Sequence, residues 1–117
     1  MIVIAGTVDL RPEKRQAALD AGREIAAATR ALEGCLDYVW SADPVVPGRV
    51  YVFERWTDEA ALRAHFDGPL YWEMRKVLRE YEKLHTDISK YRIDLQEPVY
   101  DADGNPRADF FTQTVRT

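Results

Sequence analysis

Residues 49–66 place a β-strand pattern directly before a helix pattern, with no linker between the two. The run begins Arg-Val-Tyr-Val-Phe-Glu-Arg-Trp and alternates between two faces with the period of a strand. Asp58 or Thr57 can then cap a helix, because a short side-chain oxygen accepts hydrogen bonds from the free N–H groups of the first turn. The junction therefore puts Trp56 at the end of a strand and His65 about two turns into the following helix.

The residues before this junction predict a strand and a long helix. Ile2–Val8 is apolar on both sides, which indicates a strand buried on both faces. Gly6 inside it marks a bulge or a close approach by another segment. Pro12 suits the first position of a helix, where its missing N–H has no partner to lose. The apolar stripe of this helix recurs at helical spacing down to a terminating glycine: Ala18, Gly22, Ile25, Thr29, Leu32 and Gly34.

A hairpin is predicted next. Cys35–Ser41 alternates as a strand, and a turn-rich connection at 43–48 joins it to the strand Arg49–Trp56. Two strands so joined are expected to pair antiparallel. Leu36, Tyr38 and Trp40 lie on one side of the first strand, and Asp37, Val39 and Ser41 lie on the other.

A second long helix and a last strand complete the pattern. Gly68 and Pro69 end the helix that contains His65, and the next apolar stripe is Leu70, Met74, Val77, Tyr81 and Leu84. His85 is then expected in the last helical turn, where a charged histidine favours the helix dipole. The final strand is expected where apolar and charged residues alternate: Lys90, Tyr91, Arg92, Ile93, Asp94 and Leu95.

The predicted order β-α-β-β-α-α-β gives an α+β, ferredoxin-like antiparallel sheet over residues 1–96, with its helices on one face. If Glu54 and Trp56 face the helices, Tyr51 and Phe53 face the bare side. Aromatic residues are seldom left in water on a strand, so we expect a homodimer that covers this face. The tail at 97–117 carries a predicted turn at 101–106 and is expected to contact the partner subunit.

Composition excludes several classes of function. The 117 residues suffice for one domain, and the 20 acidic and 16 basic residues are scattered, with a net charge of −4. Without a basic stripe, nucleic acid is not an expected partner. No apolar run approaches the roughly 20 residues that span a membrane, and the start of the chain lacks the features of a signal peptide. The single cysteine, Cys35, fits a reducing compartment, so the expected location is cytoplasmic.

The strand-to-helix junction is the candidate catalytic site. His65 borders the apolar stripe of its helix and, with an ordinary pKa of roughly 6.5, can accept a proton from a phenol or hydroquinone at neutral pH. Trp56 would supply a flat wall and an N–H donor for a substrate oxygen. Strand alternation puts Glu54 on the same side. The competing interpretation is structural: a histidine at a stripe edge and a tryptophan at a strand end are more often packing residues, and Glu54 could pair with an arginine.

Other residues have weaker claims. Tyr71 and Trp72 could line the mouth of the same cavity, although aromatic residues at a helix start more often only cover the sheet. Phe66, next to His65, is counted with them among the expected substrate-binding residues. No metal site is predicted, because the two histidines lie far apart in sequence and one cysteine gives no ligand cluster. No phosphate-binding loop, nucleophile elbow or flavin fingerprint is present.

In this order and spacing, several short segments resemble the antibiotic biosynthesis monooxygenase (ABM) family. They are Pro12 after the first strand, Glu33-Gly-Cys-Leu-Asp-Tyr38, Phe53-Glu-Arg-Trp56, Glu59-Ala-Ala-Leu62 and Ala64-His-Phe66. The resemblance covers roughly residues 1–96. It implies a ferredoxin-like subunit whose sheet packs on that of a partner, forming a dimeric α+β barrel.

The resemblance also implies an activity. ABM relatives include oxygenases that oxidise phenolic polyketides or quinols with molecular oxygen and without flavin, metal or haem, so no cofactor is expected. His65 and Trp56 lie where the site residues of the family tend to lie. Val52 stands where several polyketide-oxidising relatives have asparagine, and Gly6 and Thr7 where haem-degrading relatives have it, which argues against haem degradation. Val52 and Thr7 are counted among the expected substrate-binding residues.

Three functions remain open at this point. The first is a cofactor-independent monooxygenase for a small aromatic substrate, which would consume oxygen. The second is a cyclase or isomerase on the same fold, in which His65 moves a proton without oxygen. The third is a small-ligand-binding, stress-associated dimer without turnover.

Overall fold

The computed structural model describes residues 1–112 and folds them in the predicted order. The strands are β1 (Ile2–Asp9), β2 (Cys35–Ala42), β3 (Arg49–Trp56) and β4 (His85–Arg92), and the helices are α1 (Pro12–Arg30), α2 (Glu59–Asp67) and α3 (Pro69–Glu80). The strands form one antiparallel sheet in the order β2-β3-β1-β4. The prediction of an α+β, ferredoxin-like fold is therefore confirmed.

The two faces of β3 differ as its alternation predicted. The inward residues are buried and form the centre of the core: Val50, Val52, Glu54 and Trp56. Tyr51 and Phe53 point to the opposite face, where they are 50% and 41% exposed. The helices thus cover one face of the sheet, while aromatic side chains remain exposed on the other.

Helix α1 begins at Pro12, as predicted, and packs closely because its inward residues are small. Ala18 and Gly22 are buried, and a methyl group added at Gly22 would come within 3.1 Å of Met74 on α3. The helix ends at Arg30, four residues before the expected stop. Gly34 lies instead in the following turn with a φ of +82°, a conformation that favours glycine.

One side of β2 was predicted wrongly. A register irregularity between Cys35 and Asp37 places an extra residue, Leu36, in the strand. The alternation predicted one shared side for Leu36, Tyr38 and Trp40. Leu36 is instead 48% exposed, whereas Tyr38 is buried and Trp40 is half-buried. Strict alternation does not reveal such a bulge.

The end of α3 and the start of β4 also differ from expectation. His85 does not lie in a helical turn; it is the first residue of β4 and pairs with Asp9 of β1. The helix stops at Glu80 because Glu82 adopts a φ of +55°, and the N–H groups of Glu82 and Lys83 donate to the carbonyls of Arg79 and Leu78. This is a Schellman motif with glutamate where glycine is usual. The strand predicted at 90–95 therefore begins earlier, and its last residues lie beyond β4.

Strand β4 lies unusually close to Gly6. The sequence had offered two interpretations of this glycine, a bulge or a close approach by another segment, and the second is correct. It pairs with Val52 on β3 and Ile88 on β4. A methyl group at Gly6 would lie 2.1 Å from the carbonyl oxygen of Asp87. Only glycine lets β1 and β4 lie together at this position.

The segment after β4 folds on itself. The turn predicted at 101–106 is present: Tyr100 and Pro106 form a β-bridge, and the Asp101 carboxylate accepts hydrogen bonds from the N–H groups of Asp103 and Asn105. Glu97 accepts further bonds from the backbone N–H groups of residues 111 and 112. The predicted tail includes residues 113–117, which lie outside the described part. Within residues 1–112, no helix combines the length and apolar character that a membrane crossing needs.

Candidate active site

A cavity of about 420 Å³ lies between the inner face of the sheet and helices α2 and α3. This volume falls in the range of small-molecule pockets. Its wall draws residues from all four strands; the lining side chains used below are Ile4, Tyr38, Trp40, Val52, Glu54, His65, Phe66, Tyr71, Arg75, Lys83, Ile88 and Lys90. A smaller cavity of about 300 Å³ beside α1 contains neither the histidine nor the buried carboxylate. The larger cavity is therefore the candidate site.

Helix α2 carries His65 into the cavity wall. The helix begins at Asp58, whose carboxylate accepts a hydrogen bond from the Ala61 N–H at 2.8 Å, as the capping prediction required. His65 is only 3% exposed. Its ring stacks on Trp56 with centroids 4.7 Å apart and planes 21° apart, and the edge of Tyr71 meets it at 5.6 Å. Aromatic packing therefore fixes the imidazole on more than one side.

Within residues 1–112, the imidazole of His65 is held by aromatic packing and not by hydrogen bonds. Nδ1 is buried and has no hydrogen-bond partner among residues 1–112. Burial lowers the pKa of His65 below its ordinary value, because a charged imidazolium loses hydration inside the protein. The ring is therefore neutral at pH 7, and such a ring can accept a proton from a bound molecule.

Glu54 is the second titratable group of the cavity. It is 7% exposed, and burial raises its pKa to about 7. The Trp56 Nε1–H donates to its Oε1 at 3.0 Å, which stabilises the ionised form and partly opposes the shift. Among the described residues, Glu54 forms no ion pair, so the arginine partner considered from sequence is absent. A carboxylic acid with this pKa can give or take a proton near neutral pH.

Trp56 lies behind the cavity rather than in its wall. It is fully buried, its N–H is used by Glu54, and its ring is covered by His65. The structure thus corrects the expectation that Trp56 offers a flat wall and a free N–H to a substrate. Trp56 instead holds Glu54 and His65 in place from the side away from the cavity.

The remaining predicted residues divide into two groups. Val52, Phe66 and Tyr71 line the cavity. Trp72 does not: it is 54% exposed and packs against Tyr71, with ring centroids 5.2 Å apart. Thr7 is also outside, because the alternation of β1 turns it to the opposite face of the sheet, beside Tyr51. These two expectations are corrected.

Comparison with known proteins gives the family. The sequence profile described as antibiotic biosynthesis monooxygenase matches residues 1–77, about two thirds of the chain. This chain belongs to the ABM family. An uncharacterised protein of Synechocystis sp. is 26% identical over 92 residues, covering 79% of this chain and 63% of that protein. The chain therefore spans less than two thirds of that relative's length.

Solved structures agree with this assignment. A Deinococcus radiodurans protein named for the ABM family superimposes with a TM-score of 0.78 at 25% identity, over 86% of this chain and 100% of that one. A conserved protein of Methanosarcina mazei superimposes with a TM-score of 0.70 at 27% identity, over 78% and 90% of the two chains. The ABM match includes Glu54, Trp56 and His65 and ends within α3, before β4.

Two aromatic residues of β2 were missed as site residues. Tyr38 is the cross-strand partner of Glu54 and meets the edge of the His65 ring at 5.9 Å. Burial, reinforced by the Glu54 carboxylate, raises the pKa of Tyr38 above its ordinary value, so it remains a phenol at neutral pH. Trp40 also lines the cavity, with an indole N–H that is buried and unpartnered in residues 1–112. The hairpin register could have revealed both.

A basic edge of the ABM cavity was also missed. Arg75 on α3, Lys83 after it, and Lys90 on β4 all line the cavity. Lys83 was expected inside a helix, and Lys90 at the edge of a later strand, so no sequence pattern grouped them. Across residues 1–112, no three His, Cys, Asp or Glu side chains form a cluster that could hold a metal ion.

Proposed function

We propose that this ABM protein is a cofactor-independent monooxygenase that oxidises a small phenolic or quinol substrate with molecular oxygen. The observation that carries the proposal is the buried, neutral His65 imidazole, whose Nδ1 has no partner in the described chain. It lies in an aromatic cavity large enough for one ring system. A buried polar atom without a partner is costly unless a ligand or water satisfies it.

In the proposed reaction, His65 accepts the proton of the substrate hydroxyl. The resulting phenolate supplies all four electrons that reduce oxygen. One oxygen atom replaces a ring hydrogen and becomes a carbonyl, so the product is a quinone, and the other oxygen atom leaves as water. Proton removal, orientation and exclusion of water are what the protein contributes. Glu54, protonated in much of the population near pH 7, can return a proton to the reduced oxygen. Trp56 is a positioning residue, since it contacts Glu54 and His65 and not the cavity.

The test is oxygen uptake with a panel of hydroquinones and naphthols. Wild-type protein should consume one oxygen molecule per product, and one atom of ¹⁸O₂ should appear in the product. Uptake should persist after treatment with chelators. A panel that gives product without ¹⁸O, or no uptake above the rate in buffer, would contradict the proposal.

Proton transfer without oxygen is the second candidate function. It is favoured by one observation: Glu54 and His65 line the same cavity, and the pKa values of both are shifted by burial. Two such groups could move a proton between carbon and oxygen in a cyclisation or isomerisation. Turnover of a phenolic ketone under strict exclusion of oxygen would favour this function over the first.

The subunit is proposed to work as a homodimer. The outer face of the sheet exposes apolar side chains from several strands: Val39, Tyr51, Phe53 and Tyr91. A partner sheet packed on this face would remove them from water. The segment from residue 97 onward is proposed to contact that partner, because Val99, Tyr100 and Phe110 are each at least 60% exposed on a folded segment.

A further inference from the structure

Basic side chains are concentrated in one part of the cavity, although the chain as a whole is acidic. Arg75, Lys83 and Lys90 line one part of it. Lys90 lies on the same face of the sheet as Glu54, with one strand between them, because Lys90 pairs with Ile4 and Ile4 pairs with Glu54. Two strand spacings separate the backbones of Lys90 and Glu54, which is about 10 Å.

The three cations have no acidic partner. None of them forms an ion pair with any residue of the described chain 1–112. Glu82, next to Lys83, is engaged by Arg11 and Lys14 instead. The Arg75 guanidinium lies over the Tyr71 and Trp72 rings, 5.8 and 5.4 Å from their centroids, so aromatic contacts hold it beside the cavity.

The other part of the cavity offers no attraction to a carboxylate. It is formed by the neutral imidazole of His65, the protonatable Glu54 and aromatic rings. Ile88 and Phe66 add apolar surface. A ligand that suits both parts has a planar phenolic body and an anionic group at one end.

We propose that the cavity takes a phenolic aromatic acid, with its hydroxylated ring against His65 and its carboxylate held by Lys83, Lys90 and Arg75. This inference rests on the proposed function, since it names the substrate class of the same site. Near the surface each ion pair contributes modestly, so the preference arises from several cations acting together. It should weaken as salt is raised.

Calorimetric titration without oxygen separates ligand class from turnover. The two ligands are hydroquinone and 2,5-dihydroxybenzoate, which differ by one carboxylate. At pH 7 and low salt, wild-type protein should bind the acid about tenfold more tightly than hydroquinone. Lys90→Gln should weaken binding of the acid about fivefold and leave hydroquinone unchanged, and the Lys83→Gln/Lys90→Gln double variant should abolish the preference. The matched control is Lys76→Gln, an exposed lysine of α3 outside the cavity.

Several results would overturn the inference. They are equal affinity for the two ligands, no saturable binding of the acid in the millimolar range, or the same loss in Lys76→Gln as in Lys90→Gln. The same experiments distinguish failure of this inference from failure of the oxygenase proposal. If the acid binds through Lys90 but no oxygen is consumed, the activity is wrong and the ligand class stands. If hydroquinone is oxidised with no preference for the acid, the activity stands and this inference is wrong.

Discussion

Trp56 contacts both titratable groups of the cavity, each with a different part of its indole. The N–H donates to Glu54, and the ring face stacks on His65. A buried carboxylic acid is costly when ionised, and a single neutral donor offsets only part of that cost. The pKa of Glu54 therefore stays raised, at about 7.

The raised pKa of Glu54 predicts a specific dependence of stability on pH. Between its ordinary value of 4.5 and about 7, the folded protein binds a proton that the unfolded chain does not. Stability from this group is therefore complete below pH 4.5 and is lost as pH rises through 7. We expect the free energy of unfolding of wild type, relative to Glu54→Gln, to fall by roughly 3 kcal/mol between pH 4.5 and 8.

Urea unfolding of both proteins at several pH values measures this difference. Glutamine keeps an oxygen that can accept the Trp56 hydrogen bond and cannot ionise. The lowered pKa of His65 acts in the opposite direction, reducing stability as pH falls below its ordinary value of 6.5. It is present in both proteins and cancels in the comparison. Parallel pH profiles would mean that Glu54 titrates normally.

For single residues, the sequence predicted which side of the sheet a side chain lies on better than it predicted which other side chains it contacts. The alternation of β3 placed Glu54 and Trp56 on the inner face, and helical spacing placed His65 towards them. The hydrogen bond between Glu54 and Trp56 was not predicted, because two residues on one strand face can contact each other or a third group equally well. That contact is what removes Trp56 from the cavity wall.

Among the elements, α2 matters most because it carries His65. Its cap is Asp58 at the N-terminus, whereas Asp67, at the other end, makes only an exposed contact with Arg63 at 3.7 Å. Asp58→Ala should destabilise the protein by about 1 kcal/mol, a fall of about 4 °C in Tm. Asp67→Ala should change stability by less than about 0.5 kcal/mol. Equal losses in thermal melts of the two variants would mean that the cap does not stabilise α2.

Element boundaries were predictable where a marker residue was present. Pro12 begins α1, as expected, whereas Pro69, which was expected only to end the preceding helix, is the first residue of α3. The end of α3 was missed because Glu82, not glycine, adopts the left-handed conformation that closes the helix. That single residue shifts β4 earlier and brings Lys90 to the cavity, which sequence reasoning had not placed there.

The dimensions of the whole molecule exceed those of a compact subunit. The radius of gyration is 17.0 Å, whereas a compact domain of this length has about 13 Å. The exposed aromatic face of the sheet and the exposed residues after β4 both contribute surface that a partner could cover. Sequence predicted the bare face from alternation and the turn at 101–106 from its residues, but it did not predict the hydrogen bonds from residues 111 and 112 to Glu97.

Sedimentation at low micromolar concentration should show a dimer. Phe53→Glu should shift it towards monomer, because a charge would be buried in the interface, which typically totals upwards of about 2,000 Å². Trp72→Glu is the control: Trp72 is similarly exposed but lies on α3, away from the outer face. A wild-type protein that sediments as a folded monomer would contradict the proposed barrel.

The segment after β4 makes a separate prediction. Deleting residues 107–117 removes Phe110 and the Phe111 N–H that donates to Glu97. We expect weaker dimerisation or a lower Tm, because exposed apolar surface on this segment is proposed to contact the partner. If the deletion changes neither the sedimentation profile nor the melting curve, the segment is not part of an interface.

The central claim is that His65 accepts the substrate proton. The most direct test is the steady-state rate of oxygen consumption by His65→Ala, with a substrate that the wild-type protein oxidises. A general base contributes about 10²- to 10⁴-fold, so kcat/KM should fall by at least about 10²-fold while circular dichroism shows a folded protein. The acid limb of the wild-type pH profile should vanish in the variant. A folded His65→Ala protein that consumes oxygen at the wild-type rate would contradict the account.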